Sequence, residues 1–307
     1  MMIRGRNRGV ANIGGVDFNL IKTANVPQII AGWKEDKKRG CINLVNPHAV
    51  MLCRRDARMR QATEMADLNL ADGVGIIVGA WMLGQGRHHR VTGPNLMLHI
   101  CAAGRELGLR HYFYGGREGV AERLAERLEE RFPGMRVAGT YCPPFRPLDA
   151  AETTEIAARI NATSPDVIWV GLGAPKQEKW MADHIHRFNA SALIGVGAAF
   201  DFHSGNVPWA PQWVRAIGCE WAYRLMIEPR RMWRRNLDSP LFLGCVALQA
   251  AGLAGARLWR SLAPALAWVF SDDRSEGGGG NGAAHADGAS FDQAPLKAPS
   301  GLPGQAA

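Results

Sequence analysis

Short apolar runs alternate with segments of helical length along most of this chain of 307 residues. Segments 117–132 and 149–160 are amphipathic, as surface helices are. The apolar runs have the length of buried strands: Cys41–Val45, Leu68–Ala71, His111–Tyr114, Arg136–Thr140, Val167–Leu172 and Leu193–Val196. This alternation predicts an α/β fold with a mostly parallel sheet and helices on both faces. A further run, Val16–Ile21, is expected to add an edge strand.

The end of the chain has a different composition. Residues 271–307 contain four consecutive glycines, little apolar surface, and five acidic against two basic side chains, so we expect a disordered tail. The net charge of +8 therefore originates before the tail. It suits an anionic partner, such as nucleic acid, a phosphorylated substrate or an acidic membrane. Because the sequence contains no recognised nucleic-acid-binding module, we expect no nucleic-acid partner.

The six cysteines are widely spaced, and the sequence has no CxxC motif and no Cys/His pair at metal-ligand spacing. We therefore expect free thiols, no bound metal and no other cofactor. The N-terminal residues are polar and basic and lack the apolar core of a signal peptide. These features favour a cytoplasmic, reducing location.

In a Rossmann-like sheet, ligands bind beyond the carboxyl ends of the strands. The sequence ADG follows the second strand and places Asp72 at a strand tip, where a carboxylate can accept a proton from a substrate hydroxyl. The alternative is that Asp72 caps a helix over residues 73–83. After the third strand, Gly115 and Gly116 would let a phosphate or ribose approach the next helix. They do not form the GxGxxG motif of dinucleotide-binding proteins.

The densest group of polar residues follows the fifth strand, in the sequence GLGAPKQEKW. Lys176 can balance phosphate charge, and Gln177 can hydrogen-bond a sugar or a uracil base, with Glu178 beside them. A capped, solvated helix start is the alternative. The sixth strand leads into a glycine-rich loop over residues 195–205, which contributes Asp201.

Residues 215–235 contain six arginines against two glutamates, interleaved with Trp and Tyr. Guanidinium groups suit pyrophosphate oxygens and tryptophans suit a membrane boundary, whereas the alternative is a solvated basic face. We expect Pro229 to kink or split a helix here. The apolar run that follows, 241–256, is shorter than the roughly 20 residues of a membrane span. It is typical of an interfacial membrane helix, and equally of a helix packed on the protein's own core or on another subunit.

Six motifs together resemble those of the WecG/TagA/CpsF glycosyltransferases. They are ADG at 71–73, RVTGPNL at 90–96, YFYGG at 112–116, GLGAPKQE at 171–178, GVGAAFDFHSG at 195–205 and EWAYRLMIEPRR at 220–231. The resemblance runs from about Gly14 to Arg235. It implies a metal-independent, inverting transfer from a UDP-sugar to a saccharide on undecaprenyl diphosphate, a polyprenyl diphosphate. It further implies bacterial exopolysaccharide or related polysaccharide biosynthesis, and a peripheral location on the inner face of the cytoplasmic membrane.

The resemblance also implies roles for single residues. Asp72 matches the proposed general base, and Gln177 matches a polar residue of the donor pocket. Arg224 and Arg231 match arginines of a C-terminal appendage that closes over the active site and holds the diphosphate. Asn46 matches the asparagine that follows the first strand.

Two further residues of the RVTGPNL motif, Arg90 and Gly93, are expected to bind substrate. One position departs from the family: Leu44 stands where some members have a threonine, so no hydroxyl role is carried over to it.

These patterns predict a catalytic domain over 1–214, a helical membrane-associated appendage over 215–270 and a tail over 271–307. The apolar run would also allow a homo-oligomer. Two other functions fit such a sheet. A nicotinamide-dependent oxidoreductase would need GxGxxG after the first strand, where this chain has NLVNPHAV. A non-catalytic helper of another transferase would need neither Asp72 nor the PKQE sequence.

Overall fold

The computed structural model describes residues 9–85 and 89–271 of the chain. The tail predicted over 271–307 lies outside the described residues, apart from Ser271. The strands are β1 (Val10–Ile13), β2 (Val16–Asn19), β3 (Gly40–Val45), β4 (Leu68–Ala71), β5 (Arg110–Gly115), β6 (Arg136–Tyr141), β7 (Val167–Gly171) and β8 (Ala192–Gly195). The first α-helices are α1 (Val26–Glu35), α2 (Pro47–Arg55), α3 (Ala57–Met65), α4 (Val74–Met82), α5 (Gly93–Gly104) and α6 (Val120–Arg131). The later ones are α7 (Ala150–Ala162), α8 (Lys176–His184), α9 (Ala199–His203), α10 (Gln212–Ala216), α11 (Glu220–Ile227) and α12 (Pro229–Ser271).

Six of these strands form one parallel sheet in the order β4-β3-β8-β7-β5-β6. Side chains alternate between its faces: on β5, Phe113 packs with residues of α1, α5 and α6, whereas Tyr112 and Tyr114 pack with residues of α7 and α8. Apolar side chains are buried on both faces, as a parallel sheet between two helical layers requires. The structure confirms the predicted α/β fold.

The edge strand predicted over Val16–Ile21 is wrong. Residues Val16–Asn19 instead pair antiparallel with Val10–Ile13 in a separate two-stranded sheet. The turn between them is Gly14-Gly15, with φ of 66° and 95°, which is the backbone that a two-residue hairpin turn needs. The hairpin therefore satisfies its own hydrogen bonds, and it packs beside β4 through a side chain, because Asn19 Oδ1 accepts from Asn69 N at 2.8 Å.

The basic segment is divided into three helices, α10, α11 and α12. The first break lies at Gly218, whose φ is 80°, and the second lies directly before Pro229. The predicted split at Pro229 is confirmed. Residues 229–255 of α12 are long and apolar enough to span a membrane by length and composition, which alone is weak evidence.

The interpretation that the apolar run packs on the protein's own core is confirmed for one face of α12. Phe242 and Val246 are completely buried in a cluster with residues of the hairpin, α2 and α4, so one face packs on the protein's own core. Leu241 and Leu248 are 52% and 75% exposed. A second face of the helix is therefore apolar and exposed.

Polar contacts also hold α12 in place. Asp238 is buried, and its two carboxylate oxygens lie 2.5 Å from His48 Nδ1 and 2.7 Å from Arg55 Nη2, both on α2. Gln249 Oε1 accepts from Gly14 N at 2.8 Å. All six cysteines are free, as expected from their spacing.

Candidate active site at the carboxyl edge of the sheet

One cleft runs along the carboxyl edge of the sheet. Residues that follow β3, β4, β5, β7 and β8 line it from below, and α11 and the first turns of α12 line it from the other side. Most of the residues predicted from the sequence line this cleft: Asn46, Asp72, Arg90, Gly93, Gly116, Gln177, Glu178, Asp201, Arg224 and Arg231. The structure thus brings together motifs that lie up to 185 residues apart in the chain.

Two predicted residues lie outside the cleft. Gly115 is the last residue of β5, and a Cβ atom there would stand 2.7 Å from the backbone carbon of Gly171, so this glycine permits close packing of β5 on β7. Lys176 is exposed, and its Nζ lies 4.7 Å from the centroid of the Phe145 ring. Its ammonium group points to that aromatic ring rather than into the cleft.

Asp72 follows β4 directly, and its backbone N–H donates to Val45 O at 3.0 Å, which holds the strand tip beside β3. The N-cap position of α4 is occupied by Gly73, whose φ is 89°. Asp72 is therefore not the helix cap, and its carboxylate is left for the cleft.

The surroundings of Asp72 raise the pKa of its carboxyl group. Burial raises the pKa of Asp72 to about 6, and the negative charge of Glu220 acts in the same direction. The cations of Arg235, Arg90 and Arg224 oppose the increase but do not cancel it. A carboxylate with such a pKa is mostly ionised at neutral pH and is a stronger base than an exposed aspartate.

A second carboxyl group lies beneath the cleft, at the start of α8. Gln177 Oε1 accepts from Gly173 N at 3.2 Å, and its Nε2 donates to Glu178 Oε1 at 2.9 Å. Glu178 is only 2% exposed, and its Oε2 has no hydrogen-bond partner among the residues that the structure describes. Burial raises the pKa of Glu178, against the opposing charge of Arg235. Gln177 thus braces the turn, with one amide hydrogen left for a ligand.

The opposite side of the cleft is cationic. Arg224 and Arg231 share Glu228, whose carboxylate lies 3.5 Å from Arg224 Nη2 and 3.1 Å from Arg231 Nη1. Arg235 lines the cleft one turn further along α12, where burial and the charge of Arg224 lower its pKa. Asp201 faces this group, and burial raises its pKa while Arg231 lowers it. Three guanidinium groups that line one side of a cleft suit a ligand that carries several negative charges.

The remaining predicted residues shape the cleft. Asn46 Oδ1 accepts from Ala49 N at 3.0 Å and caps α2. A Cβ atom at Gly93 would lie 3.1 Å from Val196 O, so only glycine fits there without a shift. Arg90 Nη2 donates to Arg215 O at 3.0 Å, which ties the segment before α5 to α10.

The comparison with known sequences now bears on this geometry. A sequence profile described as the glycosyl transferase WecG/TagA/CpsF family matches residues 11–255, which is most of the chain. The chain belongs to this family. The resemblance seen in the motifs is thereby confirmed, and the protein is a glycosyltransferase rather than a nicotinamide-dependent oxidoreductase.

Relatives of this WecG/TagA/CpsF-family enzyme are named N-acetylglucosaminyldiphosphoundecaprenol N-acetyl-beta-D-mannosaminyltransferase. The protein of Bacillus spizizenii is 30% identical over 231 residues, which cover 75% of this chain and 87% of the relative. That of Bacillus subtilis is 27% identical and covers 76% and 88%. That of Staphylococcus aureus is 26% identical and covers 78% and 93%.

The substrate-binding residues predicted from the sequence did not include four that line the cleft of this family member: His48, Glu220, Arg235 and Asn236. For Arg235 a signal existed, since it follows Arg231 by one helical turn. Glu220 was missed because its negative charge was considered only as a reduction of the net positive charge of residues 215–235. Within the described ranges 9–85 and 89–271, no three His, Cys, Asp or Glu side chains lie close enough together to hold a metal ion.

Proposed function

We propose that this enzyme transfers a sugar, with inversion, from a UDP-sugar to a hydroxyl group of a saccharide carried on a polyprenyl diphosphate. The proposal depends above all on one observation: a half-buried carboxylate and three arginines line opposite sides of a single cleft. This arrangement supplies a base for the incoming group and cations for the departing group. The relatives' names support the class of acceptor, because each contains a diphosphoundecaprenol.

In the proposed reaction, Asp72 accepts the proton of the acceptor hydroxyl. The oxygen attacks the anomeric carbon of the donor from the face opposite the nucleotide, and a new glycosidic bond forms. The bond from that carbon to the diphosphate oxygen breaks, and UDP leaves with the electron pair. Attack from the opposite face inverts the configuration at the anomeric carbon, and it needs only one carboxylate.

Charge accumulates on the diphosphate oxygens as the bond breaks. Arg224, Arg231 and Arg235 are placed to neutralise that charge, which is the task that bound cations perform in other transferases. Arg224 and Arg235 are partly buried, so that their attraction for an anion is stronger than in water, whereas Arg231 is exposed. Arg90 adds a fourth cation next to Asp72.

The proposed location is the inner face of the cytoplasmic membrane. The exposed apolar side chains of α12, among them Leu241 and Leu248, follow directly on the basic residues of its first turns. Cations followed by apolar side chains match the order of anionic headgroups and acyl chains at a membrane surface. A peripheral enzyme docked in this way could reach a lipid-linked acceptor without spanning the bilayer.

Donor profiling of the purified protein tests the proposal. N-acetylglucosaminyldiphosphoundecaprenol would serve as the acceptor, with a panel of UDP-sugars that begins with UDP-N-acetylmannosamine, in the presence of EDTA. We expect one donor to give product with inverted anomeric configuration, measured by mass spectrometry and NMR. A product with retained configuration, or activity that EDTA abolishes, contradicts the mechanism. A helper protein would give no transfer in this assay.

A further inference from the structure

A second groove lies beside the cleft, between α4 and α10. Residues of α4, of the start of α5 and of α10 line it, together with Arg90: Val74, Ile77, Arg90, Asn95, Gln212, Arg215 and Ala216. Val74 and Arg90 also line the cleft that contains Asp72, so the groove continues the cleft towards the surface. None of the steps of the proposed reaction uses this groove.

The two helices that border the groove carry exposed apolar side chains. On α4, Val74, Val78 and Trp81 are spaced by four and three residues and therefore share one face of the helix. Trp81 is 77% exposed. Trp213 on α10 and Ile217, which directly follows that helix, are 68% and 63% exposed. Large apolar side chains exposed together on two facing elements mark a surface that binds something apolar.

The inner end of the groove is cationic. Arg90 Nη2 donates to Arg215 O at 3.0 Å, and the guanidinium carbon of Arg215 lies 3.7 Å from the centroid of the Trp209 ring. The Nε of Arg215 is buried and has no hydrogen-bond partner among the described residues. Gly218 brings α10 close to α4, because a Cβ atom there would overlap Val74 and lie 3.3 Å from Arg90 Nη1.

We infer that this groove, which we call the α4–α10 groove, holds the polyprenyl chain of the acceptor as it leaves the active site. The diphosphate lies near Arg90 and Arg215, and the chain follows Val74, Ile77, Val78 and Trp81 towards the membrane. This inference rests on the proposed function and adds the location of the acceptor lipid.

Two observations favour this occupant over a second copy of the chain. The groove opens into the cleft, so that whatever fills it continues to the position of Asp72. The order from cations to apolar side chains also matches the order from diphosphate to hydrocarbon in a polyprenyl diphosphate. A protein surface would need no such continuity with the catalytic carboxylate.

Photo-crosslinking tests the location independently of catalysis. A polyprenyl diphosphate with a diazirine in its chain would be irradiated with the full-length protein in detergent, and the labelled peptides would be identified by mass spectrometry. We expect labels within 74–82 and 212–217 that excess unlabelled polyprenyl diphosphate suppresses. Labels confined to α12, or no labelling, would overturn the inference.

Acceptor kinetics provide the second arm of the test. Trp81→Ser combined with Trp213→Ser removes two exposed rings, and we expect the preference for an undecaprenyl over a ten-carbon acceptor, as the ratio of kcat/KM, to fall about tenfold. Met65→Ser, which removes an exposed apolar side chain from α3, is expected to retain the wild-type preference. An unchanged preference in the double variant would overturn the inference.

The two arms also separate this inference from the proposed function. Transfer activity with labelling elsewhere refutes the groove and leaves the function standing. Labelling in the groove without transfer to any acceptor refutes the function and supports the lipid site. If the double variant instead dissociates a dimer in light scattering and the groove is not labelled, the surface binds a second copy and the inference fails.

Discussion

The two sides of the cleft are built differently. The lower side is the carboxyl edge of the sheet, where every residue of β3 and β4 is buried, and it supplies Asp72 and Glu178. The upper side consists of α11, none of whose residues is fully buried, and the start of α12, which together supply the arginines. The proposed base is therefore fixed by the core of the protein, whereas the positions of the arginines depend on how two half-exposed helices dock.

The docking of α12 depends on few contacts. Phe242 and Val246 are completely buried, and each such side chain contributes about 1.5–3 kcal/mol of apolar burial. Asp238 adds its contacts with His48 and Arg55 on α2. Since Arg231 and Arg235 lie within two turns of Asp238, these contacts set the position of the cations. We therefore predict that one substitution can impair the proposed base without moving the arginines, and that another can remove an arginine without affecting Asp72.

The largest effect is expected at the base. Asp72→Asn should lower kcat by about 10²–10⁴-fold, the range typical of a lost general base. Its thermal stability at neutral pH should be equal or higher. The pKa of about 6 in the folded state exceeds the ordinary value of 3.8, so ionised Asp72 destabilises the fold as the pH rises from about 4 through 6. Kinetics and thermal melting measure both effects.

Asp36→Asn, at an exposed position after α1, is the matched control for this change and should behave as wild type. A fully active Asp72→Asn enzyme would remove the carboxylate from the mechanism. If Asp72→Asn does not fold, this edge of the sheet needs the Asp72 side chain for its stability, although its strands are buried.

The next effect is expected on the cationic side. Arg235→Ala should lower kcat/KM for the donor by about 10²-fold, because it removes a charge that stabilises the departing diphosphate. Arg230→Ala removes an exposed arginine of the same helix that does not line the cleft, and it should change kcat/KM less than twofold. Steady-state kinetics distinguish the two. Equal losses in both variants would indicate a general effect of positive charge instead of a placed cation.

A smaller effect is expected on membrane binding. The double variant Leu241→Ser and Leu248→Ser should weaken sedimentation with anionic liposomes about tenfold, because both side chains are exposed and do not belong to the buried face with Phe242. Met65→Ser controls for loss of an exposed apolar group elsewhere. Deletion of the chain after Ser239 is less informative, since it also removes Phe242 and Val246 from the core. Unchanged sedimentation would contradict membrane docking by this face.

The smallest effect is expected from the electrostatic interaction between the two sides of the cleft. Glu220 lies on α11 and raises the pKa of Asp72 on the sheet edge. Glu220→Gln should therefore lower that pKa and move the acidic limb of the kcat/KM profile to lower pH by a fraction of a pH unit. Glu118→Gln, at an exposed position, should leave the profile unchanged. An unchanged profile in Glu220→Gln would show that the charge of Glu220 does not act on Asp72.

Much of this molecule could be predicted from its sequence. Buried strands are short and apolar, so the six strands of the sheet were placed within two residues of their observed ends. Ligands collect at the carboxyl edge of parallel strands, so position made Asp72 and the turn with Gln177 candidates. The resemblance to the family, rather than position, favoured a role for Asp72 over a helix cap. The split at Pro229 followed equally from local geometry, because proline cannot continue a helix from the preceding turn.

Other features depended on the tertiary structure. Lys176 and Gln177 are neighbours in the sequence, yet only Gln177 faces the cleft, since side-chain direction on a helix depends on how that helix packs. The strand Val16–Asn19 had the composition for the main sheet, and a glycine turn paired it with β1 instead. Arg235 joined the site because Asp238, three residues further along α12, contacts His48 across 190 residues of chain. Local sequence patterns determine which helices and strands form. Contacts between residues far apart in the sequence determine which charged side chains lie together in the cleft.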